Sequence, residues 1–142
     1  MTTDDATAEL LAAAREARER AYAPYSEFHM GAAVHCADGT VVPGALVENV
    51  SLGLAMCAER IALFTTVAQG LDPVALALVA RRTGDGLTFP CGACLQVALE
   101  LAGPELVVTV GDLDGDTETV RLGDLVRRLP HRHTYRAAPS AD

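Results

Sequence analysis

Residues 73–80 read PVALALVA, a strand-length run with no charge and no hydrogen-bonding side chain. A strand with one wet face alternates apolar and polar positions. This run does not, so it must be covered on both faces. Covering both faces calls for helices on each side of a sheet, and the flanking sequence supplies them. Asp4 or Asp5 is expected to cap a first helix running to about Tyr22, with Leu10, Leu11, Ala14 and Ala17 at helical spacing. HMGAAVHCADGTVVPGALVEN, residues 29–49, reads as two strands turned at Asp38-Gly39. A second helix is expected from Cys57 to near Gly70, with an apolar run from Ile61 to Ala68 suited to burial. A third runs from Pro90 to Gly103, the usual proline-first, glycine-last asymmetry.

The remainder continues the pattern. ELVVTV (residues 105–110) reads as a fourth strand, DLDGD as a turn, TETVRL (117–122) as a fifth strand and GDLVRRLP (123–130) as a short last helix. The expected architecture is a three-layer α/β/α sandwich around one five-stranded mixed sheet. With no linker or internal repeat, residues 1–142 are expected to form one domain, with 136–142 as a frayed tail.

Composition removes several classes of function. The net charge of −8 argues against a nucleic-acid polymer as partner, because a phosphate backbone needs a basic surface. No apolar run approaches the ~20 residues of a membrane span. The start, MTTDDATAELL, is acidic where a signal peptide is basic, so the cytoplasm is the expected compartment. Four cysteines in such a chain point to metal binding or catalysis more than to disulfides.

Three of those cysteines stand at the starts of apolar helices. Cys57 opens one; Cys91 and Cys94, three apart and so on one face, open another. A thiolate at a helix N-terminus is favoured by the dipole and the free N–H groups. If the two termini meet, they offer three thiolates, the protein ligand number of catalytic zinc, whose fourth position is left for water. Glu59, two residues after Cys57, would then stand beside that water as a proton acceptor and donor. Arg60, three residues from Cys57, would offset the −1 charge of Zn²⁺ with three thiolates. Cys36 is read as buried strand filler and His35 as facing solvent. HRHTYR, residues 131–136, reads as a basic terminus or subunit contact more than as a second metal site.

CAER at 57–60 followed by PCGAC at 90–94 resembles the zinc-dependent cytidine deaminases. The likeness extends to PYSEFHMGAAV (24–34), VENVSLG (47–53) and LVRRLP (125–130), so it covers most of residues 22–130. It implies one Zn²⁺ per chain held by Cys57, Cys91 and Cys94, and an activated water attacking C4 of a cytosine ring. Glu59 is implied to protonate N3 and then the departing amine. Arg60 and Gln96 are implied to support the metal site, and Phe28, Leu46, Glu48, Ala58 and Phe89 to surround the substrate. A homotetramer is also implied, and NVSLGLAM (49–56) fits that as an apolar loop with no evident strand partner.

The likeness has gaps. Leu46, Leu52 and Leu95 stand where the family pattern has asparagine, tyrosine and arginine, and Phe89 stands where it has a small hydroxyl residue. A C-terminal aromatic has no clean match, with His133 at its spacing and Tyr135 two beyond. The activity expected is hydrolytic deamination of an aminopyrimidine nucleoside with release of ammonia. Leu46 can neither donate to nor accept from a ribose hydroxyl, so cytidine itself is expected to be a poor substrate. The alternatives are the same chemistry on a modified nucleoside, free base or other amino-heterocycle, or an idle zinc protein that binds nucleosides.

Overall fold

The computed structural model describes residues 2–130. The expected tail at 136–142, His133, Tyr135 and the HRHTYR segment lie outside the described residues. Ten elements follow in order: α1 (Thr3–Arg18), β1 (Met30–Cys36), β2 (Val41–Ala45), a 3-10 turn (Leu52–Leu54), α2 (Ala58–Ala68), β3 (Pro73–Ala80), α3 (Gly92–Ala102), β4 (Val107–Gly111), β5 (Thr117–Arg121) and α4 (Leu122–Leu125). The sheet order is β2-β1-β3-β4-β5. β3 and β4 are parallel, joined through α3, and the other pairings are antiparallel. This is the expected mixed sheet, and β3 lies at its centre, as its unbroken apolar run requires.

The strand period of two divides the core cleanly. Ala33, Ala77 and Val79 meet Leu10 and Ala14 of α1 on one face. Ala32, Val34, Leu76, Leu78, Val108 and Val110 meet Ala58, Ala62 and Leu63 of α2 and Ala98 and Leu99 of α3 on the other. Two glycines let the layers close. A Cβ on Gly31 would stand 2.2 Å from the Ala14 carbonyl oxygen of α1, and one on Gly44 would stand 2.4 Å from the Ala58 carbonyl oxygen of α2. Any side chain at Gly44 would therefore push away the helix start that carries Cys57. At the sheet's outer edge, Pro43 costs β2 no ladder bond and blunts the edge against further pairing.

Several expectations need correction. The α1 cap is Thr2, not Asp4 or Asp5: Thr2 Oγ1 accepts from Asp5 N–H while Asp5 Oδ2 accepts from Thr2 N–H, a reciprocal capping box. The helix ends at Arg18, short of Tyr22, because Tyr22 N–H donates to Leu46 O and Tyr22 O accepts from Glu48 N–H. Tertiary pairing takes the last turn away from the helix. The same strand-like segment gives the 49–56 loop a partner at one end, since Val47 and Met56 exchange both backbone bonds. Val50, Leu52 and Leu54 remain exposed.

His35 does not face open solvent but lies half-buried beneath α1, beside Thr3, Ala6 and Leu10. Cys36 is buried in the core, as expected. α2 is not buried all round: Ala58, Glu59, Ala62, Leu63 and Thr66 face inward while Phe64 and Val67 are exposed. At ~100° per residue, those two positions fall off the inward stripe. The last helix is a single turn ending at Leu125; Val126, extended, and Leu129, beyond a bend at 127–128, pack against the core.

Candidate metal centre and active site

The carboxyl ends of the parallel strands β3 and β4 are where an open α/β sheet leaves room for a ligand. The segment leaving β3 there leads to Cys91. Met30 pairs with Ala80 and its carbonyl accepts from Leu46 N–H, so Phe28, Leu46 and Arg81 lie at this same end. Phe28, Leu46, Cys57 and Phe89 all pack on one core cluster.

Two helices begin here with cysteine as N-cap: Cys57 for α2 and Cys91 for α3. An N-cap side chain normally accepts a bond from the helix N–H groups. Neither sulfur does so. They turn to each other instead, with Cys57 Sγ 3.9 Å from Cys91 Sγ and Cys91 Sγ 3.4 Å from Cys94 Sγ. All three sulfurs lie within 4.8 Å of one another, the one such group among the described residues. Tetrahedral zinc with Zn–S bonds of ≈ 2.3 Å sets its sulfurs about 3.8 Å apart, so the spacing fits. Cys91 is exposed, Cys57 half-buried and Cys94 buried, which opens the cluster to one side.

The surrounding charges fit a cation as well. Glu59 is fully buried, and neither of its oxygens has a hydrogen-bond partner. Burial pushes its carboxyl up to about 7, with the Cys57 charge adding to the effect. A buried carboxylate without a partner is costly unless something nearby compensates it. Cys57 is pulled down to about 5 by the bond from the Cys94 thiol, with Arg60 adding to that effect. The same bond to Cys57, together with burial and the Glu59 charge, holds the Cys94 thiol far above its ordinary range. Of the pair, Cys57 is the sulfur that ionises first. Arg60 Nη2 lies 3.6 Å from Cys57 Sγ, and that bond raises the guanidinium pKa further, while Arg60 Nε is buried without a partner.

The remaining expected residues are divided. Phe28 is half-buried with the Arg81 guanidinium 5.1 Å above its ring centre. Glu48 Oε1 accepts from Tyr25 and Ser26 N–H. Burial works to raise the Glu48 pKa, but the bonds from Ser26 and Tyr25 hold it below the ordinary value. Leu46, Phe89 and Leu95 are half-buried. Ala58 is wholly buried, so its side chain belongs to the core and only its backbone is left to meet a ligand. Gln96 is drawn away from the sulfurs: its Nε2 donates to Pro130 O at 2.6 Å, tying α3 to the C-terminal segment. A helical offset of two residues from Cys94 turns it to the opposite face. Sequence reasoning missed Arg81 and Arg82; their only signal was adjacency to the end of an apolar strand.

Comparison with known proteins identifies the family. The profile of the cytidine and deoxycytidylate deaminase zinc-binding region matches residues 4–110. A cytidine deaminase of Halalkalibacterium halodurans is 45% identical over 118 residues, covering 82% of this chain and 88% of that protein. One of Mycobacterium tuberculosis is 42% identical over 113 residues, covering 80% of each. The crystal structure of cytidine deaminase from Burkholderia pseudomallei superposes with a TM-score of 0.80 at 46% identity, covering 89% of this chain and 97% of that one. The chain belongs to the cytidine and deoxycytidylate deaminase family and is a zinc-dependent deaminase.

Proposed function

We propose that this protein hydrolyses the exocyclic amine of cytidine or a close analogue, releasing ammonia, with Cys57, Cys91 and Cys94 as the ligands of one zinc and Glu59 as the proton carrier. The observation that carries the reading is the buried, unpartnered Glu59 beside three sulfurs at zinc-ligand spacing. Zinc, when bound, supplies the Lewis acidity that makes water a nucleophile near neutral pH. Glu59 would carry two protons in turn, both from the attacking water: the first to ring N3, where it stays, and the second to the amine leaving C4 as ammonia. Arg60 offsets the net negative charge of the thiolates, and the half-buried Glu48 carboxylate offers an acceptor for a sugar hydroxyl. Ammonia release from cytidine, deoxycytidine, cytosine and modified nucleosides, with zinc content in parallel, tests the reading. About one zinc per chain and turnover of at least one nucleoside are expected; zinc without turnover of any would refute it.

Leu46 favours a second version, in which the preferred substrate lacks a polar group where ribose would meet an asparagine. Its side chain packs on the core and offers no hydrogen bond.

The remaining assignments are part of the same proposal. We read the chain as one domain that assembles as a homotetramer in the cytoplasm. The exposed apolar residues Val50, Leu52, Leu54, Phe64 and Val67 support self-association. No helix among the described residues is long and apolar enough to cross a membrane. A monomeric mass by light scattering at micromolar concentration would refute the assembly.

A further inference from the structure

We infer that Arg82 is a positioning residue for the metal centre: its guanidinium locks the segment that delivers Cys91 to the β4–β5 turn. The inference rests on the assignment of Cys91 as a zinc ligand.

The segment from Arg81 to Pro90 leaves β3 and ends at Cys91. Most of its bonds are internal. Thr83 and Gly86 pair through their backbones, Thr83 Oγ1 and Thr88 Oγ1 are 2.5 Å apart, and Thr88 Oγ1 donates to Arg81 O at 2.7 Å. These bonds staple residues 81–88 into one unit. Arg82 fastens that unit from both sides. Its Nη1 donates to Asp85 O at 3.0 Å within the loop. Its Nε donates to Asp112 Oδ2 at 2.9 Å and its Nη2 to Asp116 Oδ2 at 2.6 Å across the sheet end.

The anchor on the far side is itself rigid. Asp112 is almost fully buried, and its Oδ1 accepts from the N–H groups of Asp114, Gly115 and Asp116. Two charge-assisted bonds in a planar fork fix direction as well as distance. Only Phe89 and Pro90 separate the stapled unit from Cys91, and proline's fixed φ leaves little slack for a shift to dissipate. Cys91 is also the exposed member of the sulfur group, with the least surrounding structure to hold it. A loop loosened at Arg82 therefore moves the sulfur that closes the cluster.

The test compares the unaltered chain with Arg82→Met, Arg82→Lys and Arg121→Met. The last removes exposed ion pairs to Glu105 and Asp124 on β5 and touches nothing in residues 81–91. Each protein is loaded with zinc and its release to a chromophoric chelator is timed; each is then loaded with Co²⁺ and the thiolate-to-metal absorption band recorded. Release from Arg82→Met is expected on the order of 10-fold faster than from the unaltered chain, at the lower end of what supporting residues contribute to metal affinity. Its cobalt band should weaken, with Arg82→Lys intermediate because it keeps the charge and loses the fork, and Arg121→Met unchanged. A release rate and cobalt band in Arg82→Met indistinguishable from the unaltered chain, whatever its melting temperature, would overturn the inference. Should Arg82→Met fail to fold, Arg82→Lys against Arg121→Met decides by the same criterion. An unaltered chain that binds no zinc refutes the ligand assignment instead, which keeps the two failures apart.

Discussion

Replacing Glu59 with glutamine should have opposite consequences for stability and for turnover. Burial raises the Glu59 carboxyl from 4.5 to about 7 in the field of the protein's own groups. The folded chain thus holds a proton that the unfolded chain releases at lower pH. Between those two values the folded state binds more protons than the unfolded one, so stability falls as pH rises through the window and stays lower above it. At 1.36 kcal/mol per unit, the full loss is about 3 kcal/mol, of which roughly 2.5 falls between pH 5 and 8.

Glutamine has no such titration. It leaves an unpartnered amide at a cost of about 1–3 kcal/mol, but that cost does not vary with pH. Urea unfolding of metal-stripped, reduced protein at pH 5, 6, 7 and 8 should therefore show the unaltered chain losing stability relative to Glu59→Gln by about 2.5 kcal/mol across the series. A difference that stays flat with pH would refute the claim that this carboxyl is buried uncompensated. In the zinc-loaded protein the same substitution should keep the metal and cut turnover by about 10²–10⁴-fold. Retention of more than about a tenth of the activity would remove Glu59 from the proton path.

Cys91→Ala should lose zinc and lower the melting temperature, because metal-binding energy is in part folding energy; full zinc occupancy by metal analysis would show the ligand set to be wrong. Gly44→Ala places a methyl group 2.4 Å from the Ala58 carbonyl oxygen, and chemical unfolding should show a loss of about 1–3 kcal/mol as α2 is displaced. Leu46→Asn should raise kcat/KM for cytidine on the order of 10- to 100-fold, the worth of about 1–3 kcal/mol of recovered hydrogen bonding. If the unaltered chain already turns over cytidine above about 10⁵ M⁻¹s⁻¹, Leu46 is harmless and that reasoning fails.

What was legible in the sequence was whatever depends on neighbours along the chain. The Asp38-Gly39 turn within residues 29–49, the apolar run at 73–80 and the proline–glycine bracket of the third helix each specify their element locally, and each formed as expected. The cysteine pattern was legible for the same reason: Cys57 and Cys91 fall at helix caps because the apolar runs behind them set where the helices start. What failed depended on partners distant in sequence. Tyr22 left its helix for Leu46 and Glu48, Gln96 turned to Pro130, and His35 went under a helix that begins more than thirty residues earlier. The Arg82 clamp belongs to this group, since nothing around residue 82 announces that Asp112 and Asp116 will meet it.

Glu59 is the residue of this site that packing alone does not explain. Its two oxygens have no partner, and the Cys94 thiol is held far from its ordinary range by its neighbours. A core built only for stability would place an apolar side chain at position 59, beside buried Ala62 and Leu63. The proposed divalent cation among the sulfurs would offset the negative charge gathered there. Three thiolates and Zn²⁺ carry −1, and Arg60 at 3.6 Å from Cys57 Sγ brings the local sum to zero. Leu95, where the family resemblance expects a second arginine, adds only packing, so in the proposed site Arg60 would carry that offset without it. Glu59 would then face a neutral cluster in place of an anionic one, which fits its proposed role as proton carrier.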